Sequence, residues 1–110
     1  MVIVNNNYPP LSYIGCCFCK KKLYYRPILS PLIRSGLGLE GVSEFDIIRE
    51  WILFNKWHVV KNPAEGCPIY CHACFTKYRK KLRIRKQYGP IKDLEGKLDS
   101  YKKFVNISVY

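Results

Sequence analysis

The sequence predicts a small α+β domain, a short β-sheet with helices, followed by a C-terminal linker-type helix. Three observations lead there: two widely separated C-x-x-C pairs, short runs of β-branched and aromatic residues, and apolar stripes at helical spacing. The 110 residues are 48% hydrophobic and 15% aromatic, enough for one modest core and too few for a large multi-domain enzyme. Lys plus Arg number 19 against eight acids, a formal +11 that favours nucleic acid, anionic membrane or acidic peptide as partner.

Residues 1–11 read as an extended N-terminal arm, with Pro9 and Pro10 against regular structure. Residues 12–88 form the predicted domain. Within it Leu23, Tyr24 and Tyr25 begin a strand that Pro27 ends. An insert at about 27–41, punctuated by Pro27, Pro31, Gly36, Gly38 and Gly41, reads as an irregular loop that is apolar enough to pack down or to meet a partner. Ser43 with Asp46 resembles a capping box, and Phe45, Ile48, Trp51 and Ile52 continue as a three-turn amphipathic helix. Trp57 to Lys61 is a β-type run, and Asn62, Pro63 and Gly66 turn the chain back as a hairpin-like element.

Phe75, Tyr78 and Leu82 predict a helix from Phe75 to Lys86, carrying the basic patch Lys77, Arg79, Lys80, Lys81, Arg83 and Lys86. Residues 89–110 form a C-terminal helix and tail, in which Ile91, Leu94, Leu98 and Tyr101 mark one apolar face and Gly96 weakens the helix.

Cys16-x-x-Cys19 and Cys71-x-x-Cys74 are the chemically informative residues. Each pair can chelate one ion, and four thiolates suit a single tetrahedral zinc with bonds near 2.3 Å. Cys17 would replace Cys16 only in a poorer chelate, and Cys67 could substitute for Cys71 in another register. His72 lies inside the second pair and reads as a turn residue, while His58 reads as structural. The 51 residues between the pairs make a long closed loop, but closure entropy rises only about 0.6 kcal/mol per doubling of length. Structural zinc contributes on the order of 10 kcal/mol, so the long loop is tolerated.

No stretch approaches the roughly 18 apolar residues of a membrane span, and Met1 to Val4 is too short for a signal core. A cytosolic or nuclear protein without a membrane partner is expected. Four cysteines close the metal shell against an activated water, and neither histidine stands at a recognised nucleophile spacing, so a non-enzymatic protein is expected too.

The order of Cys16-Cys17-Phe18-Cys19-Lys20, Val59-Val60-Lys61-Asn62-Pro63, Cys71-His72-Ala73-Cys74-Phe75-Thr76-Lys77-Tyr78, and Tyr88-Gly89 leading to Leu94-Glu95 resembles the papillomavirus early-six oncoprotein family. The likeness spans most of residues 12–105, with an insert between the cysteine pairs and only one zinc domain. It implies a viral adaptor in the host cytoplasm and nucleus that captures acidic LxxLL-type helices of ubiquitin ligases or transcriptional coactivators. The resemblance places Phe18, Val59, Tyr70, Tyr78, Leu82 and Arg85 near the peptide groove, with the helix from Ile91 to Tyr101 as its floor. The missing half would be supplied by a homodimer, by the insert folding over the groove, or not at all. The alternative is a zinc-dependent nucleic-acid binder that lays its basic helix on phosphates and stacks tyrosines on bases.

Overall fold

A computed structural model describes residues 10–61, 68–81, 86–94 and 96–106. It is an α+β domain with a two-stranded and a three-stranded antiparallel sheet. Strands β1 (Ser12–Gly15) and β2 (Lys22–Tyr25) form a hairpin in the register Ser12↔Tyr25 to Gly15↔Lys22. Ile14 and Leu23 face inward from it, while Tyr13 and Tyr24 meet edge-on outside at 6.0 Å. The hairpin loop carries the first cysteine pair. Strand β1 has no counterpart among the sequence expectations, because four residues with Gly15 at their end leave little alternation to detect.

Helix α1 (Pro31–Gly36) lies inside the insert, where the sequence predicts an irregular loop. Pro31 fits its first turn, and Arg34 ties the segment down by bonds to the Ile28 carbonyl at 2.9 Å, the Val42 carbonyl and the Glu44 carboxylate at 2.7 Å. These side-chain contacts supply what the local periodicity lacks. Ile28 and Leu39 are fully buried, so the insert packs into the domain.

Helix α2 (Glu44–Phe54) follows as predicted, capped by Ser43, whose Oγ accepts the Asp46 N–H at 3.1 Å. It separates two apolar clusters. Ile47 and Trp51 join Ile28, Leu39, Leu94, Leu98, Tyr101, Phe104 and Val105 on one side. Ile52 joins Cys16, Trp57, Val59 and Cys71 on the other. Strand β3 (His58–Lys61) runs at the centre of the second sheet, between β4 (Ile69–Tyr70) and β5 (Lys86–Gln87).

The expected basic helix from Phe75 to Lys86 is corrected. Helix α3 (His72–Tyr78) starts earlier and ends earlier, and a turn through Arg79, Lys80 and Lys81 follows it. That turn places all three cations in solvent, and the next described residues, Lys86–Gln87, are strand β5. Like charges at i and i+4, such as Lys77 with Lys81, oppose a longer helix, while β5 pairs with the edge of β3. Leu82, Arg83 and Arg85 lie outside the described residues, as do Cys67, the Asn62–Pro63 turn and residues 1–9 of the arm.

The C-terminal helix is corrected as well. Gly96 takes φ +84°, which breaks the predicted run into a 3-10 turn (Lys92–Leu94) and helix α4 (Leu98–Asn106). The apolar stripe survives the break, with Leu94, Leu98, Tyr101, Phe104 and Val105 all buried. Arg26, itself buried, donates to the Phe104 and Val105 carbonyls at 3.2 and 3.4 Å, placing a cation at the C-terminal end of α4. Its backbone exchanges two further bonds with the Tyr101 hydroxyl, at 3.0 and 2.9 Å. Burial, foremost, pushes the Tyr101 hydroxyl well above its ordinary pKa, so it stays protonated and donates to the Arg26 carbonyl. No described helix is long and apolar enough to cross a membrane.

Candidate metal centre

Cys16 follows the end of β1, and the β1–β2 loop turns so that its N–H reaches the Lys21 carbonyl at 2.9 Å. Lys20 sits at φ +63°, completing that tight turn. Cys71 follows β4 directly and caps α3, its Sγ accepting the Cys74 N–H at 3.5 Å. The Cys17 N–H donates to the Ile69 carbonyl at 2.9 Å, and the Cys71 N–H to the Cys16 Sγ at 3.4 Å, which lock the two pairs together across 55 residues. Cys16 and Cys71 are buried, whereas Cys19 is exposed.

The sulfurs of Cys16, Cys19, Cys71 and Cys74 all lie within 4.8 Å of one another, and those of Cys19 and Cys71 are 3.7 Å apart. Four Zn–S bonds in a tetrahedron require sulfurs about 3.8 Å apart, so the donor set has the size and chemistry of a closed Cys₄ site. This register excludes Cys17, which is an exposed thiol. Burial works to raise the Cys16 pKa, but the backbone N–H groups of Cys71, Cys19 and Phe18 and the Cys19 thiol outweigh it and bring the group to about 6. Cys74 moves the other way, pushed up to about 12 by desolvation, by hydrogen bonding to the other three sulfurs and by the Cys16 charge. The cluster thus favours a first thiolate and opposes the next, a repulsion that a divalent cation relieves.

Of the residues assigned to a peptide groove, Val59 and Tyr70 are only 5% and 2% exposed and pack inside. Phe18, 45% exposed, stacks on Tyr70 at 5.2 Å and meets Tyr78 at 4.7 Å. Phe18 and half-buried Tyr78 therefore form an aromatic patch held by both cysteine pairs, with Lys77, Arg79, Lys80 and Lys81 close by in sequence.

A separate cleft of about 970 Å³ opens beside α2. Leu53, Phe54, Trp57, Ile91, Leu94 and Leu98 give it apolar walls, and the exposed Lys56 and Lys92 also line it. Ile91, Leu94 and Leu98, from the segment that the resemblance makes a groove floor, line this cleft together with Leu53 and Phe54 of α2, a helix that the sequence assigns to the core. Among the described residues, none of the insert at 27–41 lines this cleft. Glu50 lies against it at 4% exposure, with Oε2 unpartnered among the described residues. His58, His72, Gln87 and the exposed Asp99 also line the cleft, and desolvation and then His72 lower the His58 pKa. Sequence reasoning misses the cleft because no motif joins these residues.

Comparisons with protein-family models, with curated proteins and with solved structures find no match. The class that fold and site define is a small α+β domain with a four-cysteine cluster able to hold one metal ion.

Proposed function

We propose that the chain is a zinc-structured, non-enzymatic adaptor whose cleft receives an amphipathic, acidic leucine-rich helix. The observation that carries this reading is the cleft itself, apolar along Leu53, Phe54, Trp57 and Ile91, with Lys56 and Lys92 on its border as well as the acidic Asp99 and the buried Glu50. Leucines spaced at i, i+3 and i+4 would fill the apolar walls while acidic side chains meet the lysines, the helix-in-groove mode. The zinc is structural in this reading and organises β3, β4 and α3. Host ubiquitin ligases or coactivators carrying such helices are the partners the family resemblance suggests.

The aromatic patch favours a second reading. Phe18 and Tyr78, with Lys77 over the Tyr78 ring at 5.2 Å and Arg79, Lys80 and Lys81 next in sequence, have the chemistry of a stacking platform for single-stranded nucleic acid. The two readings use different residues, which makes them separable. An acidic LxxLL peptide should bind the zinc-loaded protein in fluorescence anisotropy, and Leu53→Glu should weaken it about tenfold or more while Tyr78→Ala leaves it unchanged. Binding that survives Leu53→Glu would remove the cleft from the reading. Under the second reading Tyr78→Ala weakens single-stranded DNA binding, and affinity falls with salt at a slope of about −0.7 per neutralised phosphate.

A further inference from the structure

The cleft contains a pair of imidazoles that the adaptor reading does not use. His58 Nε2 and His72 Nδ1 are 3.3 Å apart. Two nitrogens bound to one tetrahedral zinc at 2.0–2.1 Å would stand about 3.3 Å apart, the spacing found here. Ring centroids 5.6 Å apart set the two nitrogens head-on, as in an N–H···N hydrogen bond, so both rings must turn toward the cleft to converge on an ion. We propose that His58 and His72 form a second metal site, for a borderline divalent transition ion such as Zn²⁺, with its remaining positions open toward the cleft.

Two neighbours contact the first ring. Phe75 stacks on His58 at 3.7 Å between centroids and 11° between planes. Gln87 contacts His58 Nδ1 through its side-chain amide. Without a metal, the Nε2–H of His58 can donate to His72 Nδ1. With a metal, the His58 proton sits on Nδ1 and the Gln87 amide presents its oxygen to it, freeing the Nε2 lone pair; a neutral ring remains neutral and no proton is lost. His72 begins α3 directly after Cys71, so its backbone is anchored by the Cys₄ cluster. Two imidazole nitrogens suit zinc, nickel and copper better than calcium or magnesium, which prefer oxygen. Two protein ligands make the site weaker than the four-thiolate one and leave it exchangeable.

The test uses the full chain loaded with one equivalent of zinc, then titrated with more zinc while the imidazole NMR signals are followed. A second equivalent should shift both His58 and His72, with calcium producing no such shift. His58→Ala and His72→Ala should each weaken the second equivalent roughly tenfold or more while the first stays bound. Unchanged imidazole signals in excess zinc would overturn the proposal, a result that needs no variant and does not depend on peptide binding. A second equivalent retained at full affinity in both variants would overturn it equally.

Discussion

The two clusters on either side of α2 are secured by different means. Among the described residues, one buries nine side chains from the insert, α2 and the C-terminal segments, with no cysteine among them. The other buries only five, and two of these are the metal-ligand candidates Cys16 and Cys71. A buried aliphatic or aromatic side chain contributes about 1.5–3 kcal/mol, so the first cluster has enough apolar contacts to persist by packing. The second has fewer apolar contacts and adjoins a four-cysteine cluster that could hold a metal ion. The difference teaches that the ion is expected to organise one side of the domain much more than the other.

Metal removal is the largest test of that contrast. Chelation, or Cys71→Ala, should abolish the order of β4, α3 and the first cysteine loop, with a loss on the order of 10 kcal/mol at most for the zinc contribution. Amide exchange should rise there first, and the α2–α4 cluster should keep more protection. Equal and simultaneous loss of protection on both sides would break the comparison and define one cooperative unit.

Trp51→Ala attacks the other side. Trp51 stacks on Phe54 at 5.5 Å, meets Tyr101 edge-on at 5.0 Å and donates Nε1–H to the Tyr24 carbonyl at 2.7 Å. Its truncation should cost about 3–5 kcal/mol in urea unfolding. Zinc affinity of the folded protein should change little, which a chelator competition measures. A smaller loss, about 1–3 kcal/mol, is expected from Arg34→Gln in the same unfolding measurement, because it leaves the insert without its ion pair to Glu44.

The α2 cap and the four-cysteine cluster are legible in the sequence because each depends on short-range spacing. Ser43 with Asp46 and the two C-x-x-C pairs need no knowledge of distant residues. The end of α3 and the break at Gly96 are not legible in the same way: apolar periodicity continues past both, and the competing strand pairing of Lys86–Gln87 and the positive φ of Gly96 are features of the folded chain. The helix in the insert escapes for a related reason, since Arg34 and Glu44 stabilise it from positions ten residues apart. The cleft depends on α2, the segment before β3, His72 and residues 87–94 and 96–99 meeting in space, which no local pattern records.

Glu50 gives the smallest and most specific test, because it stands on α2 between the two regions. Its carboxylate accepts the Ile91 N–H, but Oε2 has no partner among the described residues. Burial, foremost, raises its pKa above the ordinary 4.5, with the Ile91 bond and Arg49 opposing and Asp46 assisting. The folded state therefore binds the proton more tightly than the unfolded state. Stability from this group is fully present below the unfolded pKa and is lost as pH rises through the raised folded value. Glu50→Gln keeps an oxygen for Ile91 and removes the buried charge, so it should stabilise the protein by about 1 kcal/mol at pH 8 and by progressively less toward pH 5. Urea unfolding of both proteins with zinc saturating across that range measures the difference. A gap that does not widen with pH would show that Glu50 is solvated in the folded state and that the apolar side of α2 is more open to water than its packing indicates.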